Sequence, residues 1–415
     1  MRPHACAATA AWLACAGTVM AAAEWPEFHG PARDNKSAET GLLKAWPADG
    51  PKLLWTADGL GIGYSTVSVA GGTIYTAGKI GNQTHVFALD MAGQRKWQAA
   101  NGQSWNASEK MRYAIHYDGA RATPTVDGDR VYHLGELGRL AAFDAKTGKE
   151  IWSLNVMDRF GAKLPKYGYA QSVLIDGQKL FCYVGGSKGA MVALDKATGK
   201  TLWANTDLAD RVAFSSPILV DFAGRRLLVA VNAWAVVGLD SATGERLWRY
   251  EYRNPRSNNI ACPIHHDDGI YASSGYGKGS VMLKLKAADG EVGVEEVWET
   301  KLLDNHHGGV VLVDGCLYGA GHYSRGWHCL DLATGAPRYC HKSFAKGSVM
   351  FVDGMLYCLG EKGTMALVKA TPQGFVVVSR FRVPRGGEGL YWAHPVAVGS
   401  PSPAIGPTEG LMANG

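Results

Sequence analysis

Long apolar runs, clustered cysteines and an excess of one charge are all missing from this sequence. Its 415 residues hold 42 Lys and Arg against 37 Asp and Glu, a formal net charge of +5, so nothing indicates a nucleic-acid partner. Beyond residue 23 no apolar stretch is long enough to span a bilayer. The motifs CxxC, CxxCH and HExxH do not occur, and we therefore predict no metal site, c-type haem or zincin centre.

The first residues, MRPHACAATAAWLACAGTVMAAAEWPEF, have the form of a secretory leader. Arg2 precedes an alanine-rich apolar stretch that ends at Ala23. We predict a signal peptide over 1–23, cleaved near Ala23, and a periplasmic or secreted protein. In an alternative reading, Cys15 is the lipidated residue of a lipoprotein, although Trp12 stands where such sites usually carry leucine.

Six of the eight cysteines lie beyond the leader and are dispersed. They are too dilute for a disulfide framework. One or two bridges remain open in an oxidising compartment, and the sequence does not reveal their pairing.

The 53 glycines and 13 tryptophans are instead arranged in a repeat. Seven times a glycine turn leads through strand-like segments to an aromatic residue, as in MVALDKATGKTLW, which ends at Trp203. These aromatics are Trp97, Trp152, Trp203, Trp248, Trp298, Tyr339 and Phe381, separated by 55, 51, 45, 50, 41 and 42 residues by subtraction. A period of this length with four short strands per unit predicts the blades of an all-β propeller.

The unit A-x-D-x-x-T-G-x-x-x-W has a structural explanation at each fixed position. Its aspartate can accept backbone N–H bonds in the turn, and its glycine supplies positive φ. The tryptophan can bury its ring between neighbouring blades. We therefore assign a docking role, not a catalytic one, to a set of tryptophans: Trp55, Trp97, Trp152, Trp203, Trp248 and Trp298.

This unit resembles the tryptophan-docking motif of quinoprotein-type eight-bladed propellers. Together with the opening EWPEFHGPARDNKSAETGLLKAWPADGPKLLW and the later SSGYGKG, NHHGGVV, KGSVMFVDG and YWAHPV, it makes the chain similar to the exported PQQ-binding-like β-propeller repeat proteins. That superfamily includes quinoprotein alcohol dehydrogenases and the outer-membrane-assembly propeller. The resemblance covers about residues 24–398 and implies the fold more strongly than any activity.

Blade counting predicts eight blades, the eighth shared by the two termini. The segment GPKLLW, ending at Trp55, has the form of an outermost strand, and YWAHPVAV has that of an innermost strand around Pro395. The family continues with two more strands, but here Pro401, Pro403 and Pro407 follow, and proline cannot donate to a ladder. We therefore expect a propeller over 24–398, an irregular tail over 399–415, and an incomplete eighth blade with a gap in the ring.

Aligning the blades on their turn glycines places one group of residues at the start of each innermost strand. In a propeller these strand starts surround one mouth of the central channel. The candidate ligand-binding residues there are Tyr64, Arg121, Tyr169, Gln171, Asn259, His306, His307, Lys346, Trp392 and His394. The adjacent His306 and His307 would point to opposite sides of an extended strand, which argues against a shared metal ion. We interpret His306 and His307 either as histidines bonded to nearby backbone or as ligand contacts.

The sequence favours a binding protein over an enzyme. The resemblance implies that a quinoprotein alcohol dehydrogenase would need PQQ above a tryptophan, an adjacent Cys-Cys disulfide, a calcium held by carboxylates and an aspartate base. No Cys-Cys pair occurs, and the strand starts carry almost no carboxylate. We expect no catalytic residue and no cofactor, with PQQ and calcium in a quinoprotein alcohol or polyvinyl-alcohol dehydrogenase-like enzyme as the alternative.

The favoured partner is a protein, peptide or glycan of the cell envelope, bound by a monomer at the mouth or rim. A second alternative is a scaffold for outer-membrane protein assembly. The sequence does not choose among these partners.

Overall fold

The computed structural model describes residues 24–106, 117–384 and 389–399 of the chain. Within these ranges it contains 29 strands and one short helix. The predicted signal peptide and residues 400–415 of the predicted tail lie outside the described residues. Among the described helices, none is long and apolar enough to cross a membrane.

The strands form seven sheets, each with four consecutive antiparallel strands in chain order. The first sheet contains β2 (Ser68–Ala70), β3 (Thr73–Ile80), β4 (Gln83–Asp90) and β5 (Arg95–Gln103). The second contains β6 (Thr125–Asp127), β7 (Arg130–Leu134), β8 (Arg139–Asp144) and β9 (Glu150–Asn155), after which α1 (Val156–Phe160) follows. The third contains β10 (Leu174–Asp176), β11 (Lys179–Gly186), β12 (Gly189–Asp195) and β13 (Thr201–Asn205).

The remaining four sheets repeat this order. The fourth contains β14 (Ile218–Phe222), β15 (Arg225–Val231), β16 (Ala235–Asp240) and β17 (Arg246–Glu251). The fifth contains β18 (Ile264–His266), β19 (Gly269–Ser274), β20 (Gly279–Ala288) and β21 (Glu291–Thr300). The sixth contains β22 (Val310–Val313), β23 (Cys316–Gly321), β24 (Gly326–Asp331) and β25 (Pro337–His341). The seventh contains β26 (Gly347–Val352), β27 (Met355–Gly360), β28 (Thr364–Lys369) and β29 (Val377–Arg382), with β1 (Lys36–Ser37) parallel to β26.

First strands of neighbouring sheets lie side by side, as in β2 with β6 and β22 with β26, so the sheets are the blades of a propeller. The buried apolar residues form separate clusters, each joining adjacent blades. One cluster joins Leu134 of the second blade to Leu180 of the third, for example, and another joins Leu227 of the fourth to Leu283 of the fifth. The core is therefore a ring of interfaces between blades, as the sequence period predicts.

The D-x-x-T-G turns form as expected between third and fourth strands. The Oδ1 atom of Asp195 accepts hydrogen bonds from the backbone N–H of Thr198 at 2.8 Å and from its hydroxyl at 2.7 Å. Gly199 has φ +70°, and its Cα lies against the ring of Trp152, where a Cβ would come within 2.8 Å. The glycine thus serves both the turn and the docking contact.

A one-residue bulge precedes each docking position. In the third blade Ala193 pairs with Trp203 but Leu194 pairs with Thr201, so Leu202 is the extra residue. The same shift occurs in all seven described sheets. A bulge re-aims the side chains of an outer strand, which here turns the aromatic towards the next blade.

Two docking positions depart from the pattern of the other blades. Trp248 is buried between the fourth and fifth blades, but its Nε1 has no hydrogen-bond partner, because the fifth blade has Asp289 and Gly290 in place of D-x-x-T-G. In the seventh blade, Ser379 and not Phe381 is in the docking register, since Leu367 pairs with Ser379. Phe381 packs against Gly50 instead.

The eighth position is occupied by both ends of the described chain. Trp55 packs on Gly93 and donates its Nε1–H to the Met91 carbonyl oxygen at 2.9 Å. Four other docked tryptophans donate to a turn carbonyl in the same way: Trp97, Trp152, Trp203 and Trp298. His394 donates its backbone N–H to Thr66 Oγ1 at 2.9 Å. Seven sheets and one position shared by both ends agree with the eight-bladed prediction.

The prediction of strands around Trp55 and Pro395 is wrong, because neither segment belongs to a sheet. Among the described residues no ladder pairs the two segments, as predicted. Leu42 and Trp46 join Val396 and Trp55 in one apolar cluster between the seventh and first blades. Within the described ranges, these apolar side chains and not strands occupy the predicted gap.

The sequence analysis did not predict the path of residues 25–37, which we call the N-terminal plug. The backbone of Trp25 exchanges two 2.8 Å hydrogen bonds with Val69 of the first blade. Arg33, 5% exposed, donates to the carbonyl oxygens of Val173 and Pro217 in the third and fourth blades. Asn35 donates to Val349 O of the seventh. The plug therefore crosses the channel below the strand starts and joins several blades.

Candidate functional site

The starts of the innermost strands converge on one mouth of the channel, linked by a relay of hydroxyl groups. The backbone N–H of Thr66 donates to Thr123 Oγ1 at 3.2 Å, that of Thr123 to Ser172 Oγ at 2.9 Å, and that of Ser172 to Ser216 Oγ at 2.9 Å. These bonds link the first four blades, and the residues two positions earlier in each blade line a common space: Tyr64, Arg121, Ala170 and Phe214.

That space is a cavity of about 450 Å³, within the range of small-molecule sites. The plug forms part of its wall through Phe28 and His29. Its other lining residues are Tyr64, Thr66, Tyr117, Arg121, Lys166, Tyr167, Ala170, Ser172, Phe214, Arg256, Asn258, Ile260, Ala261, Cys262, Tyr276, His306, His307, Gly309, Trp392 and His394. Among them are three cations and many aromatic rings, but no carboxylate.

Six of the ten candidate residues line this cavity, where the structure brings together Tyr64, Arg121, His306, His307, Trp392 and His394. Lys346 lies immediately behind the wall. Its Nζ is 3.2 Å from His306 Nδ1 and 2.8 Å from Glu361 Oε2, and it lies 5.8 Å from the Trp392 ring centroid. The ligand-binding role of these residues stays a prediction.

Three candidate residues do not line the cavity, which corrects the sequence alignment. Tyr169 is fully buried and donates its hydroxyl to Val184 O at 2.8 Å. Gln171 bonds to the backbone of Tyr183 through both ends of its amide. Asn259 donates to Asn232 O at 2.6 Å. All three satisfy buried backbone groups, which is the structural role of most buried polar side chains.

Arg121 is held inside the protein. Its guanidinium donates to the carbonyl oxygens of Tyr117 and Tyr167 and lies 5.0 Å from the Trp105 ring centroid. Burial lowers its pKa, while the nearby Glu136 opposes that shift. Arg121 therefore contributes positive potential while its N–H groups shape the cavity wall.

Hydrogen bonds between the histidines define their tautomers. Lys346 can only donate, so His306 Nδ1 is an acceptor and its Nε2–H donates to the Tyr276 hydroxyl at 3.0 Å. His307 Nδ1, 3.1 Å from His306 Nδ1, must then carry the hydrogen. By the same logic His394 donates Nε2–H to the His307 carbonyl oxygen at 2.9 Å and accepts from His29 Nε2 at 3.2 Å. In this arrangement every histidine is neutral, and the buried His307 Nε2 has no hydrogen-bond partner among the described residues.

Electrostatics keep these histidines neutral. Burial, reinforced by the charge on Lys346, lowers the pKa of both His306 and His307 well below its ordinary value. Burial lowers the pKa of His394 to about 4, although its bond to His307 O opposes the shift. These imidazoles therefore do not supply fixed positive charge at neutral pH.

Asp304, two residues before His306, organises the adjoining loops. Its carboxylate accepts backbone N–H bonds from Gly277, Tyr323 and Ser324, and the Ser324 hydroxyl at 2.6 Å. Burial alone would raise the pKa of Asp304, but these bonds bring it below the usual value. The carboxylate oxygens therefore bond to the adjoining loops, and Asp304 does not line the cavity.

No metal site is evident in the three ranges that the structure describes. There, no three His, Cys, Asp or Glu side chains are grouped so that they could hold an ion. The six described cysteines are free. The cavity lining in particular offers no carboxylate oxygens to a hard cation such as calcium.

Several lining residues escaped the sequence analysis. Tyr117 and Tyr167 precede the aligned strand starts by four or more residues, and Arg256 lies three residues before Asn259. Tyr276 comes from a loop between second and third strands. A wider alignment window would have found the first three residues, but the long loops differ in length and provide no common register.

Two curated relatives share part of the sequence. The chain is 26% identical over 190 residues to the outer membrane protein assembly factor BamB of Shewanella oneidensis, covering 45% of this chain and 44% of the relative. It is 27% identical over 157 residues to BamB of Salmonella typhimurium, covering 38% and 35%. The chain thus aligns with less than half the length of these relatives.

Solved structures share the fold. BamB from Moraxella catarrhalis superposes with a TM-score of 0.55 at 15% identity, covering 80% of this chain and 89% of that one. A europium-containing methanol dehydrogenase superposes with a TM-score of 0.62 at 13% identity, covering 90% and 87%. At such identities the likeness concerns the propeller architecture and not the activity.

A family model covers most of the repeat region. The model described as outer membrane protein assembly factor BamB matches residues 82–339, more than half of the chain. This range includes docked tryptophans from Trp97 to Trp298 and the histidine pair at the mouth. The chain therefore belongs to the family described as outer membrane protein assembly factor BamB.

Proposed function

We propose that this protein is a non-catalytic propeller of the cell envelope that serves as a scaffold and binds a partner polypeptide at its channel mouth. Family membership supports the scaffold class, because the relatives are named assembly factors. The predicted leader supports export. Residues 1–23, including Cys15, lie outside the described residues, and mass spectrometry of the mature N-terminus would distinguish a cleaved chain from a lipoprotein.

One observation supports the proposal: the charged side chains among the described lining residues of the cavity are all cations. Arg121, Lys166 and Arg256 provide positive charge, while aromatic rings surround them. Positive charge beside aromatic faces attracts acidic and aromatic groups of a partner. His306 and His307 are bonded to one another, and burial lowers the pKa of both imidazoles, which makes them weak proton acceptors.

A quinoprotein dehydrogenase is the second candidate, favoured by the likeness to methanol dehydrogenase. A cationic aromatic cavity fits a planar anion such as PQQ. The calcium that accompanies PQQ does not fit, since none of the described lining residues is a carboxylate and Asp304 already accepts several loop N–H bonds. We derive no catalytic step through this cofactor.

Site-specific photocrosslinking in living cells tests the scaffold. The photoreactive residue replaces Tyr323, 58% exposed in a loop at the mouth, or Met91, 40% exposed in a turn on the opposite face. We expect a discrete polypeptide adduct at position 323 and none at 91. Absence of an adduct at 323 would contradict the proposal.

A parallel assay adds PQQ and Ca²⁺ to the purified protein and follows alcohol-dependent dye reduction. We expect no turnover above that of the cofactor alone. Turnover that is lost in a Trp392→Ala variant would favour the dehydrogenase instead.

A further inference from the structure

Because strands in each blade alternate in direction, the loops of the propeller divide into two sets that lie on opposite faces of the disc. Loops from second to third strands and from one blade to the next lie on the face of the mouth, the mouth face. Within the described ranges these loops are 56–67, 81–82, 104–106, 117–124, 135–138, 161–173, 187–188, 206–217, 232–234, 252–263, 275–278, 301–309, 322–325, 342–346, 361–363, 383–384 and 389–394. All other turns within blades lie on the opposite face.

The two loop sets differ in charge. The described mouth-face loops contain 13 Lys or Arg and 7 Asp or Glu: Arg121, Lys163, Lys166, Lys188, Arg211, Arg253, Arg256, Lys278, Lys301, Arg325, Lys342, Lys346 and Lys362 against Asp58, Asp118, Glu136, Asp207, Asp210, Asp304 and Glu361. The opposite-face turns contain 4 Lys and 7 acids: Lys146, Lys149, Lys196 and Lys200 against Asp129, Glu245, Asp267, Asp268, Asp289, Asp314 and Asp353. The near-neutral composition thus conceals a disc with one basic and one acidic face.

The acids of the mouth face are mostly bound within the protein. Asp210 forms a two-bond pair with Arg249 at 2.8 and 2.9 Å, Glu361 pairs with Lys346, and Asp304 is saturated by loop N–H groups. In contrast, several described cations of this face form no ion pair. Among the described residues, no ion pair is formed by Lys188, Arg211, Arg256, Arg325, Lys342 or Lys362, and all six are exposed. The electrostatic potential outside this face is therefore more positive than the numbers of basic and acidic residues alone indicate.

Shape adds a second constraint. The basic face surrounds a cavity of about 450 Å³ whose rim carries the exposed Lys166 and Arg256, and whose walls include Tyr117, Phe214 and Tyr276. A flat anionic membrane would reach the loops but not this depth, whereas a flexible chain can insert side chains. Charge complementarity and depth together favour a polypeptide segment with acidic and aromatic residues.

We infer that the mouth face is the docking site for an acidic, aromatic-containing segment of a partner polypeptide, with the ring of unpaired cations guiding the segment and the cavity receiving its side chains. This inference rests on the proposed scaffold function and specifies the partner's chemistry. The acidic opposite face repels the same segment, so docking has a single orientation. Because exposed charges mediate the approach, binding weakens as salt rises.

Isothermal titration calorimetry on the mature protein tests the inference with three synthetic peptides of equal length, alternating Phe with Glu, Gln or Lys. We expect the Glu peptide to bind at least about tenfold more tightly than the Gln peptide, and the Lys peptide not to bind. Equal affinity for the Glu and Gln peptides would overturn the inference.

Matched charge reversals assign the binding to one face. The mouth-face variant carries Arg211→Glu, Arg256→Glu and Lys342→Glu, and the opposite-face control carries Lys146→Glu, Lys149→Glu and Lys200→Glu, with the same change in net charge. All six residues are exposed, so both variants should fold, as melting curves will show. We expect at least about a tenfold loss of Glu-peptide affinity in the first variant and less than about a twofold change in the control. Equal losses would mean non-specific attraction and overturn the inference.

Vesicles of phosphatidylglycerol, with phosphatidylcholine as control, supply the competing surface. If the vesicles bind through the mouth face and the Glu peptide does not, the face recognises a membrane and the inference is wrong. The scaffold proposal is tested separately. A polypeptide adduct at position 323 combined with equal affinity for the Glu and Gln peptides would support the scaffold and contradict only the acidic partner. If no adduct forms and the Glu peptide is not preferred, both proposals are wrong.

Discussion

On the face opposite the mouth, four turns are close copies of one another: DAKTG, DKATG, DSATG and DLATG begin at Asp144, Asp195, Asp240 and Asp331. On the mouth face the long loops between blades share no such sequence motif, and their conspicuous residues are cations, aromatics and histidines. The same strands connect both sets. The repeated turns serve packing between blades, so the residues that are not repeated are the ones that can differ in function.

The two faces also use carboxylates in two different ways. On the opposite face Asp195 closes a five-residue turn that glycine and threonine complete. On the mouth face Asp304 ties together three loops that have no common motif. Both are structural acids, but only the first is recognisable from its neighbours in the sequence.

The largest expected effect is the loss of a docked tryptophan. Trp97 is 8% exposed, covers Gly148 and donates Nε1–H to Ala145 O at 2.9 Å. We expect Trp97→Ala to lower the free energy of unfolding by about 3–5 kcal/mol, and the mouth-face Arg256→Ala to change it by less than about 0.5 kcal/mol. Urea unfolding followed by circular dichroism measures both. Similar losses would show that the two faces are not divided between stability and binding.

Asp304 provides the next largest effect. In Asp304→Asn the new amide N–H groups face existing donors from Gly277, Tyr323 and Ser324. We expect a loss of about 2–3 kcal/mol at neutral pH.

The folded-state pKa of Asp304 is lowered, so its stabilisation is complete above the unfolded pKa of 3.8 and disappears as pH falls through the folded value. The difference from wild type should therefore shrink only below about pH 4. A constant difference down to acid pH would contradict the assigned charge on Asp304.

Sequence reasoning was most reliable where residues repeat. The period, the turn chemistry and the docking of Trp97, Trp152, Trp203 and Trp298 follow from local patterns, because each blade solves the same packing problem. Trp248 is different because its partner turn lies in another blade with a different sequence, which no single repeat reveals.

The site was predicted only in outline for the same reason. Alignment placed Arg121, His306 and Trp392 correctly at the mouth, but it could not distinguish them from Gln171, which has the same register and bonds to backbone. Register determines where a residue lies along a strand, whereas the role of its side chain depends on which buried groups need a partner. The plug was missed because it has no periodicity.

A smaller effect is expected in the pH dependence of stability, to which His394 at the mouth contributes. Burial lowers the folded-state pKa of His394 to about 4 from 6.5, so the unfolded chain binds the proton first. Stability is therefore complete above about pH 6.5 and falls towards pH 4, by about 1.4 kcal/mol per pH unit for this residue.

His394→Gln should reduce that slope by about one proton. The control is His266→Gln, because His266 is exposed in the opposite-face region and lies outside the cavity lining. Urea unfolding across this pH range measures both slopes. Parallel slopes for wild type and His394→Gln would contradict a neutral buried His394.

The smallest expected effect concerns the hydrogen bond that a docked tryptophan donates to the neighbouring blade. Trp97 and Trp248 are nearly equally buried, at 8% and 6% exposed, but only Trp97 donates Nε1–H to a neighbouring blade. Phenylalanine removes that donor from both sites. Trp97→Phe loses this hydrogen bond and leaves Ala145 O with the Tyr75 hydroxyl at 3.2 Å as its remaining side-chain donor, whereas Trp248→Phe removes a buried donor that has no partner. We therefore expect Trp97→Phe to destabilise more, by about 1 kcal/mol.

Both substitutions remove a similar ring volume, so the cavity cost approximately cancels when the two changes in unfolding free energy are subtracted. If Trp248→Phe proves as costly as Trp97→Phe, the bond to the D-x-x-T-G turn adds nothing to ring packing. The repeated turns would then stabilise the propeller through backbone geometry alone, and the advantage of the repeated face over the mouth face would rest on apolar contact.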